Sequence, residues 1–312
     1  MSFSMDVKEE LMGVNVAARH CKIAELSALV VQCGKIYIDK SGYFHIKLQT
    51  ESGYVARKCN MLLKKLCRIP VLVSVRTAKG KQSYAQYVLD ICGDENVRKT
   101  VELLKLKISG KDGTLKADGM VWMQGCCKRA FLRGTFLASG SISNPEKSYH
   151  FEICETEQSR AEQLTELMGF FDVEAKTVLR KHYYVVYIKE GEQVSEMLSI
   201  MEAHQAMMEF ENIRIVKDVR NSVNRKFNCE MANLSKTVNA ARKQYEDIVF
   251  IRDSVGLHEL SEGLEEIAQL RLDYPEASLV ELGEMLSPRL CKSGVNHRLK
   301  KFSEYAESLR GK

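Results

Sequence analysis

The sequence is poor in the residues that mark fibrous, disordered or membrane-spanning chains. It holds four prolines and nineteen glycines among 312 residues, which excludes collagen-like and low-complexity compositions. No apolar run approaches the roughly eighteen residues that a membrane-spanning helix needs. Asp6, Lys8 and Glu9 interrupt the N-terminal stretch, where a signal peptide requires an apolar core. We therefore expect a globular protein of the cytoplasm with no membrane segment, long enough for two or three domains.

No cysteine pair has the CxxC spacing of a zinc or redox motif. The ten cysteines are scattered along the chain, and the nearest approaches to metal-ligand spacing are Cys126-Cys127 and His150 with Cys154. Neither spacing recurs elsewhere, as a structural zinc site with four ligands requires. We expect reduced thiols, no metal site and no cofactor.

Charge is abundant, but it is divided into blocks that the small net charge of +5 conceals. Residues 212–243 carry eight basic and two acidic side chains, residues 244–286 two basic and eleven acidic, and residues 287–301 five basic and no acidic. Residues 1–211 are close to neutral, with 29 basic and 26 acidic side chains. Because basic blocks attract nucleic-acid phosphates, we expect the contact with an acidic partner in the C-terminal third.

The order of predicted elements repeats along the first two thirds of the chain. Hydrophobic periodicity predicts helix, strand, strand, helix, strand, strand, helix over residues 20–105, and the same order over residues 128–203. Gly34 and Gly140, separated by 106 positions, follow the leading helix of each copy. The sequence thus predicts an α+β fold of two tandem, pseudo-twofold αββαββα repeats followed by an all-α domain. The expected division is a first repeat at 1–106, a second repeat at 107–211 that opens with a linker at 107–119, a basic helical linker at 212–262, and a helix-turn-helix domain at 263–312.

The two leading helices carry small side chains at positions where two helices could pack closely. Ser27 and Ala28 lie in the first helix, and Gly134 and Ala138 lie in the second. Residues 132–140, LRGTFLASG, resemble the LAGLIDADG motif of homing endonucleases, and residues 26–34 resemble a fainter copy of it. In that family the penultimate residue of each motif is an acidic metal ligand for phosphodiester cleavage.

Cys33 and Ser139 stand at those penultimate positions. Neither side chain supplies the anionic oxygen that Mg²⁺ prefers. The resemblance therefore implies the endonuclease scaffold without its activity, with no catalytic residues and no enzymatic function.

Three helices are predicted between residues 263 and 309. Ser278 and Glu281 have the spacing of a capping box at the start of the second helix, and Ser293 is the expected N-cap of the third. A short helix, a turn and a helix with a basic N-terminal half are typical of a helix-turn-helix, whose last helix enters the major groove. Basic side chains there bond guanine and phosphate, and asparagine bonds adenine. The predicted DNA contacts are Arg289, Lys292, Ser293, Asn296, His297, Arg298, Lys300 and Lys301.

The basic block at 212–243 is also rich in asparagine, a poor helix former. Such a density of asparagine calls for specific hydrogen bonds, either to DNA or to turns and caps in an interdomain hinge. Arg225, Lys226 and Lys236 are the candidate DNA contacts of this block.

Residues 224–233, NRKFNCEMAN, with Lys236-Thr237, the tandem repeat and the closing helix-turn-helix, together resemble the WhiA family of bacterial regulators. The resemblance covers roughly residues 10–309. It implies a nucleoid-associated protein that binds double-stranded DNA. In sporulating actinobacteria the family activates sporulation genes, and in other Gram-positive bacteria it is tied to cell division and chromosome segregation.

Other functions stay open on the residues alone. Residues 1–211 either contact DNA weakly through their hairpins or form a platform for transcription or division proteins. The candidate phosphate contacts of the first alternative are Lys47, Arg57, Arg76, Lys79, Lys81, Arg180 and Lys181. A metal-dependent nuclease with displaced carboxylates would use Asp39 and Glu152 first, and a pure protein scaffold would leave the basic third helix without a role.

Overall fold

The computed structural model of the chain describes residues 2–78, 84–109, 112–259 and 261–310. The chain divides into two compact units, Met1–Lys217 and Asp218–Lys312. The turn predicted at residues 79–81, with the candidate contacts Lys79 and Lys81, lies outside the described residues. In the described part of the chain, no helix combines the length and the apolar character that crossing a membrane requires. The finer division predicted at residues 106, 211 and 262 stays a prediction.

The first repeat packs helices against an antiparallel sheet with the strand order β3-β4-β2-β1-β6-β5. Its elements are helices α1 (Phe3–Gly13) and α2 (Arg19–Cys33), strands β1 (Gly34–Ile38) and β2 (Phe44–Thr50), helix α3 (Gly53–Leu66), strands β3 (Leu72–Ala78) and β4 (Tyr84–Cys92), helix α4 (Asp94–Leu103), and strands β5 (Leu106–Ser109) and β6 (Thr114–Ala117). Ile46 and Leu48 on β2 are buried in the core, whereas His45 and Lys47 are half-buried and Gln49 is exposed, as the alternation of a strand predicts.

The second repeat has the same plan, with the strand order β7-β8-β10-β9. After a 3₁₀ turn (Gly119–Trp122) come helix α5 (Gly125–Ser139), strands β7 (Gly140–Ile142) and β8 (Phe151–Glu155), helix α6 (Gln158–Gly169), strands β9 (Lys176–Arg180) and β10 (Tyr183–Ile188), and helix α7 (Gly191–Ile200). The four strands β1-β2-β4-β3 of the first repeat occur in the equivalent order. The predicted tandem repeat is confirmed.

The linker predicted at residues 107–119 is wrong. Strands β5 and β6 form a hairpin there, and β6 pairs with β1 through Lys35 and Thr114, so that it extends the first sheet. The glycines of this stretch suggested a flexible linker, and Gly113 was interpreted as part of it. Its φ of +77° and its closeness to β1, where a Cβ would lie 1.9 Å from the Ile36 carbonyl oxygen, instead require glycine at this position.

The leading helices α2 and α5 pack directly against each other, as their small residues predict. Both have fifteen residues, and their bounds differ by the 106 positions of the repeat. A Cβ on Gly134 would lie 2.6 Å from the Glu25 carbonyl oxygen and 2.9 Å from the Ala28 Cβ. Glycine at this position therefore permits the backbones of the two helices to approach each other.

The second unit has a core of its own. Helix α8 (His204–Ser254) contributes residues to both units, and its C-terminal part joins α9 (Glu262–Asp273), α10 (Leu279–Met285) and α11 (Lys292–Arg310), with a 3₁₀ turn at Leu257–Glu259. The basic stretch 212–243 lies inside α8. The core of the second unit consists of Ile248, Ile251, Ile267, Ala268, Leu282, Leu286, Val295, Leu299, Phe302 and Ala306. The expected helix-turn-helix is confirmed.

One of the two caps predicted in this unit forms and the other does not. Glu281 N donates to Ser278 Oγ (3.3 Å) and Ser278 N donates to Glu281 Oε2 (2.7 Å), which completes the capping box. The N-cap predicted at Ser293 is wrong, because α11 already begins at Lys292 and Val295 N donates to the Cys291 carbonyl (3.1 Å). Ser293 lies in the first turn, where its Oγ is 3.0 Å from Cys291 Sγ.

Candidate nucleic-acid interface

The turn between α10 and α11 brings these two helices close together. Leu290 N donates to the Gly283 carbonyl (3.0 Å), and a Cβ on Gly283 would lie 2.2 Å from the Leu290 carbonyl oxygen. Leu282 of α10, Leu286 directly after it, and Val295 and Leu299 of α11 are buried. This packing fixes which side of α11 faces the core and leaves the polar side exposed.

The predicted DNA contacts of α11 and its preceding turn lie on that exposed side, with one exception. The exposed members of the set are Arg289, Lys292, Ser293, Asn296, His297, Lys300 and Lys301. Lys300 Nζ lies 3.5 Å from a carboxylate oxygen of Glu304 one turn further along, which leaves it exposed and available to other anions.

Arg298 is the exception, since it is half-buried and already has a partner. Its Nη1 donates to the Gly263 carbonyl in the first turn of α9 (2.8 Å). The guanidinium therefore joins α11 to α9. The sequence did not indicate this structural role, because the two residues are 35 positions apart.

A groove of about 960 Å³ brings two of the predicted basic regions together. Lys236 of α8 lines this groove with Lys292 and Asn296 of α11, although they are far apart in the sequence. Arg242 also lines the groove, and its basic side chain was not among the predicted contacts. Arg225 and Lys226 lie further back on the exposed part of α8, outside the lining of the groove.

The two degenerate positions of the endonuclease motif are the last residues of α2 and α5. Burial raises the pKa of the Cys33 thiol to about 12, which keeps it protonated. Ser139 Oγ donates back to the Thr135 carbonyl of its own helix (3.2 Å).

A buried carboxylate near Cys33 is that of Glu155 at the end of β8, which contacts the adjacent Gln32. It is 1% exposed, accepts a hydrogen bond from Gln32, and forms an ion pair with Arg160 (2.8 Å). Burial raises the pKa of Glu155, while Arg160 opposes that change. The hydrogen bond from Gln32 and the ion pair with Arg160 compete with a divalent cation for this carboxylate.

The two carboxylates suspected in a displaced nuclease site both stabilise local structure. Asp39 Oδ1 accepts from Ser41 N (2.8 Å) and Tyr43 N (2.9 Å), so it holds the turn between β1 and β2. Glu152 accepts from Ser141 Oγ (3.1 Å) on the neighbouring strand. Asp39 belongs to the first repeat and Glu152 to the second.

The basic candidates of the two sheets are dispersed. Arg57 lies on α3, while Lys47 on β2 and Arg76 on β3 lie on strands of the first sheet. Arg180 and the adjacent Lys181 lie at the turn after β9 in the second sheet, where Arg180 Nη1 is 4.0 Å from Glu152. All except the half-buried Lys47 are exposed.

The architecture defines a class: a tandem LAGLIDADG-like protein that lacks the acidic residues of the motif and carries a C-terminal helix-turn-helix. Three family descriptions match this chain, namely the WhiA N-terminal LAGLIDADG-like domain at residues 19–107, the WhiA LAGLIDADG-like domain at 128–220 and the WhiA C-terminal HTH domain at 223–306. The chain belongs to the WhiA family.

Similar proteins extend over the whole chain. A relative from Lachnoclostridium phytofermentans, named "Probable cell division protein WhiA", is 50% identical over 99% of this chain and 100% of its own length. A relative of the same name from Alkaliphilus oremlandii is 44% identical over 99% of this chain and 98% of its own. The crystal structure of full-length DUF199/WhiA from Thermatoga maritima aligns with a TM-score of 0.59 at 27% identity, covering 99% of each chain.

Proposed function

We propose that this chain is a sequence-specific, double-stranded DNA-binding transcriptional regulator linked to cell division, chromosome segregation or sporulation. The observation that carries the proposal is a stripe on α11. Lys292, Asn296 and Lys300 follow one another at four-residue spacing on its exposed side, so they lie along one line of the helix. Lysine contacts phosphates, and asparagine reads adenine through two hydrogen bonds.

The groove residue Lys236 adds a basic side chain next to this stripe, which supports a continuous contact with the DNA backbone. Residues 287–301 contain no acidic side chain, so no carboxylate in this stretch repels the DNA phosphates. In this function the protein is nucleoid-associated in the cytoplasm, and the name of its relatives, "Probable cell division protein WhiA", supports the link to cell division.

The proposed regulator is not an enzyme. Cys33 and Ser139 offer no carboxylate, and the neighbouring Glu155 is engaged by Arg160 and Gln32. A hard divalent cation needs anionic oxygens that are free to coordinate it. The LAGLIDADG-like repeats then act as a scaffold.

The test is a mobility-shift titration of the full chain on genomic promoter fragments, with Mg²⁺ present, at low and at physiological salt. We expect retarded, intact DNA whose retention falls steeply as salt rises, because lysine–phosphate contacts release counterions. Shortened DNA would contradict the non-enzymatic assignment. An absence of retardation at both salt concentrations would favour a protein scaffold.

A second candidate function, protein binding through residues 1–211, is favoured by strand β3. Its Leu72, Val73 and Val75 are 65%, 51% and 60% exposed, an unusual run of apolar side chains on an edge strand. A triple variant of the full chain with alanine in place of Arg76, Arg180 and Lys181 distinguishes DNA contact by residues 1–211 from protein binding by them. Weaker DNA binding by this triple variant would indicate that the sheets contact DNA, and unchanged binding would favour a protein partner.

A further inference from the structure

One imidazole and three thiols converge where α2 and α5 begin. The ligand atoms of His20, Cys21, Cys126 and Cys127 all lie within 4.8 Å of one another. His20 Nδ1 is 3.1 Å from Cys127 Sγ, 3.2 Å from Cys21 Sγ and 4.0 Å from Cys126 Sγ. These four residues are called the thiol cluster below.

The pseudo-twofold repeat explains why the thiol cluster exists. His20 and Cys126 are separated by 106 positions, as are Cys21 and Cys127, so each helix contributes the same two adjacent positions of its first turn. Because α2 and α5 pack side by side, their equivalent ends meet. Ligand spacing along the sequence does not reveal this site, because its two halves lie 106 positions apart, one in each repeat.

We propose that the thiol cluster is a Cys₃His site that binds one structural Zn²⁺ ion and thereby joins the two repeats. Zinc in structural sites takes four tetrahedral ligands of this kind, with Zn–S near 2.3 Å and Zn–N near 2.0–2.1 Å, so neighbouring ligand atoms lie about 3.5–3.8 Å apart. The separations in the thiol cluster bracket that range. Three sulfur ligands select a thiophilic cation and disfavour Mg²⁺ or Ca²⁺.

Two further features suit a zinc ion. Cys21 and Cys127 are 2% and 4% exposed and anchor the site in the core, whereas His20 and Cys126 are exposed and leave a path by which the ion enters. Each pair also occupies two adjacent positions in the first turn of its helix, so the two helices present their side chains from equivalent places.

The position assigns the ion a structural role. The thiol cluster lies at the opposite ends of α2 and α5 from Cys33 and Ser139, so it is separate from the degenerate endonuclease positions. A bound ion would connect the first and second repeats across about a hundred residues, and its binding free energy would add to the stability of the fold.

The experiment uses the full chain, purified under reducing conditions without chelator from zinc-supplemented medium. We expect about one zinc ion per chain by inductively coupled plasma mass spectrometry, as one four-ligand site requires. Cys126→Ser removes one exposed ligand and should weaken zinc binding by more than about tenfold. Cys229→Ser removes an exposed cysteine of the second unit and serves as the matched control.

Cobalt provides a readout of the ligand set. Co²⁺ added to the metal-free chain should give the intense visible absorption of a tetrahedral ion and thiolate-to-cobalt charge transfer, both lost in Cys126→Ser and His20→Ala and kept in Cys229→Ser. Because His20 and Cys126 are exposed, these variants should fold even where Cys127→Ser does not.

Zinc content in the wild type no higher than in Cys126→Ser would overturn the proposal. The proposal would also be overturned if the reduced preparation contained a disulfide between two cysteines of the thiol cluster, detected as an intact mass about 2 Da lower than that of the free thiols. Added zinc should raise the melting temperature of metal-free wild type and not that of Cys126→Ser, and equal shifts in both would also contradict the site.

Discussion

Arg133 on α5 forms an ion pair with Glu25 on α2, in which Nε of the guanidinium lies 3.3 Å from Oε1 of the carboxylate. Both side chains are almost fully buried. Lys58 of α3 also contacts this carboxylate, with Nζ 2.5 Å from Oε1. Arg133 in turn reaches Glu202, 2.9 Å away, and the Met201 carbonyl. The interface between the two repeats therefore contains a buried network of charged side chains.

Glu25→Ala should destabilise the first unit strongly. The substitution leaves Lys58 and Arg133 buried without their shared carboxylate, and removing one partner of a buried ion pair costs about 3–5 kcal/mol. Trp122 is the one tryptophan of the chain and packs on Phe131 of α5, with ring centroids 4.6 Å apart. Its fluorescence during urea unfolding measures the change.

Two further variants show whether burial of unpaired charge causes the loss. Glu95→Ala breaks an exposed ion pair with Lys99 and should leave the unfolding midpoint unchanged. The apolar triple variant Glu25→Leu, Lys58→Met, Arg133→Met should recover much of the lost stability, because it leaves no charge unpaired in the core. A Glu25→Ala midpoint equal to that of the wild type would contradict the interpretation.

Asn296→Ala and Lys292→Ala should weaken DNA binding in different ways. Loss of a base-reading asparagine should cost about 1–3 kcal/mol on a preferred site and relax its sequence preference. Loss of Lys292 or Lys301 should weaken all DNA alike and reduce the slope of log affinity against log salt by about one. Fluorescence anisotropy titrations on a panel of duplexes at several salt concentrations distinguish these outcomes.

Lys99→Ala on α4 removes one exposed lysine from the first unit and serves as the charge-matched control. Asn296→Ala losses that are equal on every duplex would refute base reading by this residue.

Arg298→Ala should lower the stability of the second unit. The guanidinium donates to the Gly263 carbonyl, and a hydrogen bond from a charged group contributes about 1.5–3 kcal/mol. Thermal unfolding without DNA measures this effect separately from DNA affinity. His297→Ala, at the exposed neighbouring position, should leave the melting temperature unchanged, and an equal effect of both variants would argue against a structural role for Arg298.

His45 should make the stability of the first unit depend on pH. Burial lowers its pKa, but hydrogen bonds and charges from Asp90 and Asp39 outweigh that effect and raise the pKa above 6.5. The Tyr37 ring stacks on the His45 imidazole, with ring centroids 5.0 Å apart. Cys92 on β4 pairs with His45 in the strand register. Because the folded state binds the proton more tightly, the stabilisation is complete below the ordinary pKa and declines as pH rises through the raised one.

Urea unfolding by Trp122 fluorescence between about pH 5.5 and pH 8, the range in which histidine titrates, measures this dependence. The wild-type midpoint should fall relative to that of His45→Gln as pH rises. Asp90→Asn should reduce this pH-dependent difference between the midpoints, since it removes one of the two carboxylates that favour the charged imidazole of His45. Parallel profiles of wild type and His45→Gln would contradict the prediction.

The repeat and the helix-turn-helix were predictable because their signals are local. The hydrophobic periodicity within each repeat, the capping box of Ser278 and Glu281, and the small residues of α2 and α5 depend on neighbours a few positions away. The loss of carboxylates at Cys33 and Ser139 is likewise visible in the sequence alone. Gly113 shows the limit, because a glycine required by its approach to Ile36 looks the same in the sequence as a glycine in a flexible linker.

The sequence by itself determined the order of helices and strands over residues 20–105 and 128–203, the duplication and the basic character of α11. Only the tertiary structure decided that Arg298 bonds to α9, that Lys236 lines a groove with Asn296, and that His20 and Cys21 meet Cys126 and Cys127. The physical reason is distance along the chain. Periodicity depends on backbone hydrogen bonds and burial over a few residues, whereas these partners are 35 to 107 residues apart and meet only once the helices have packed.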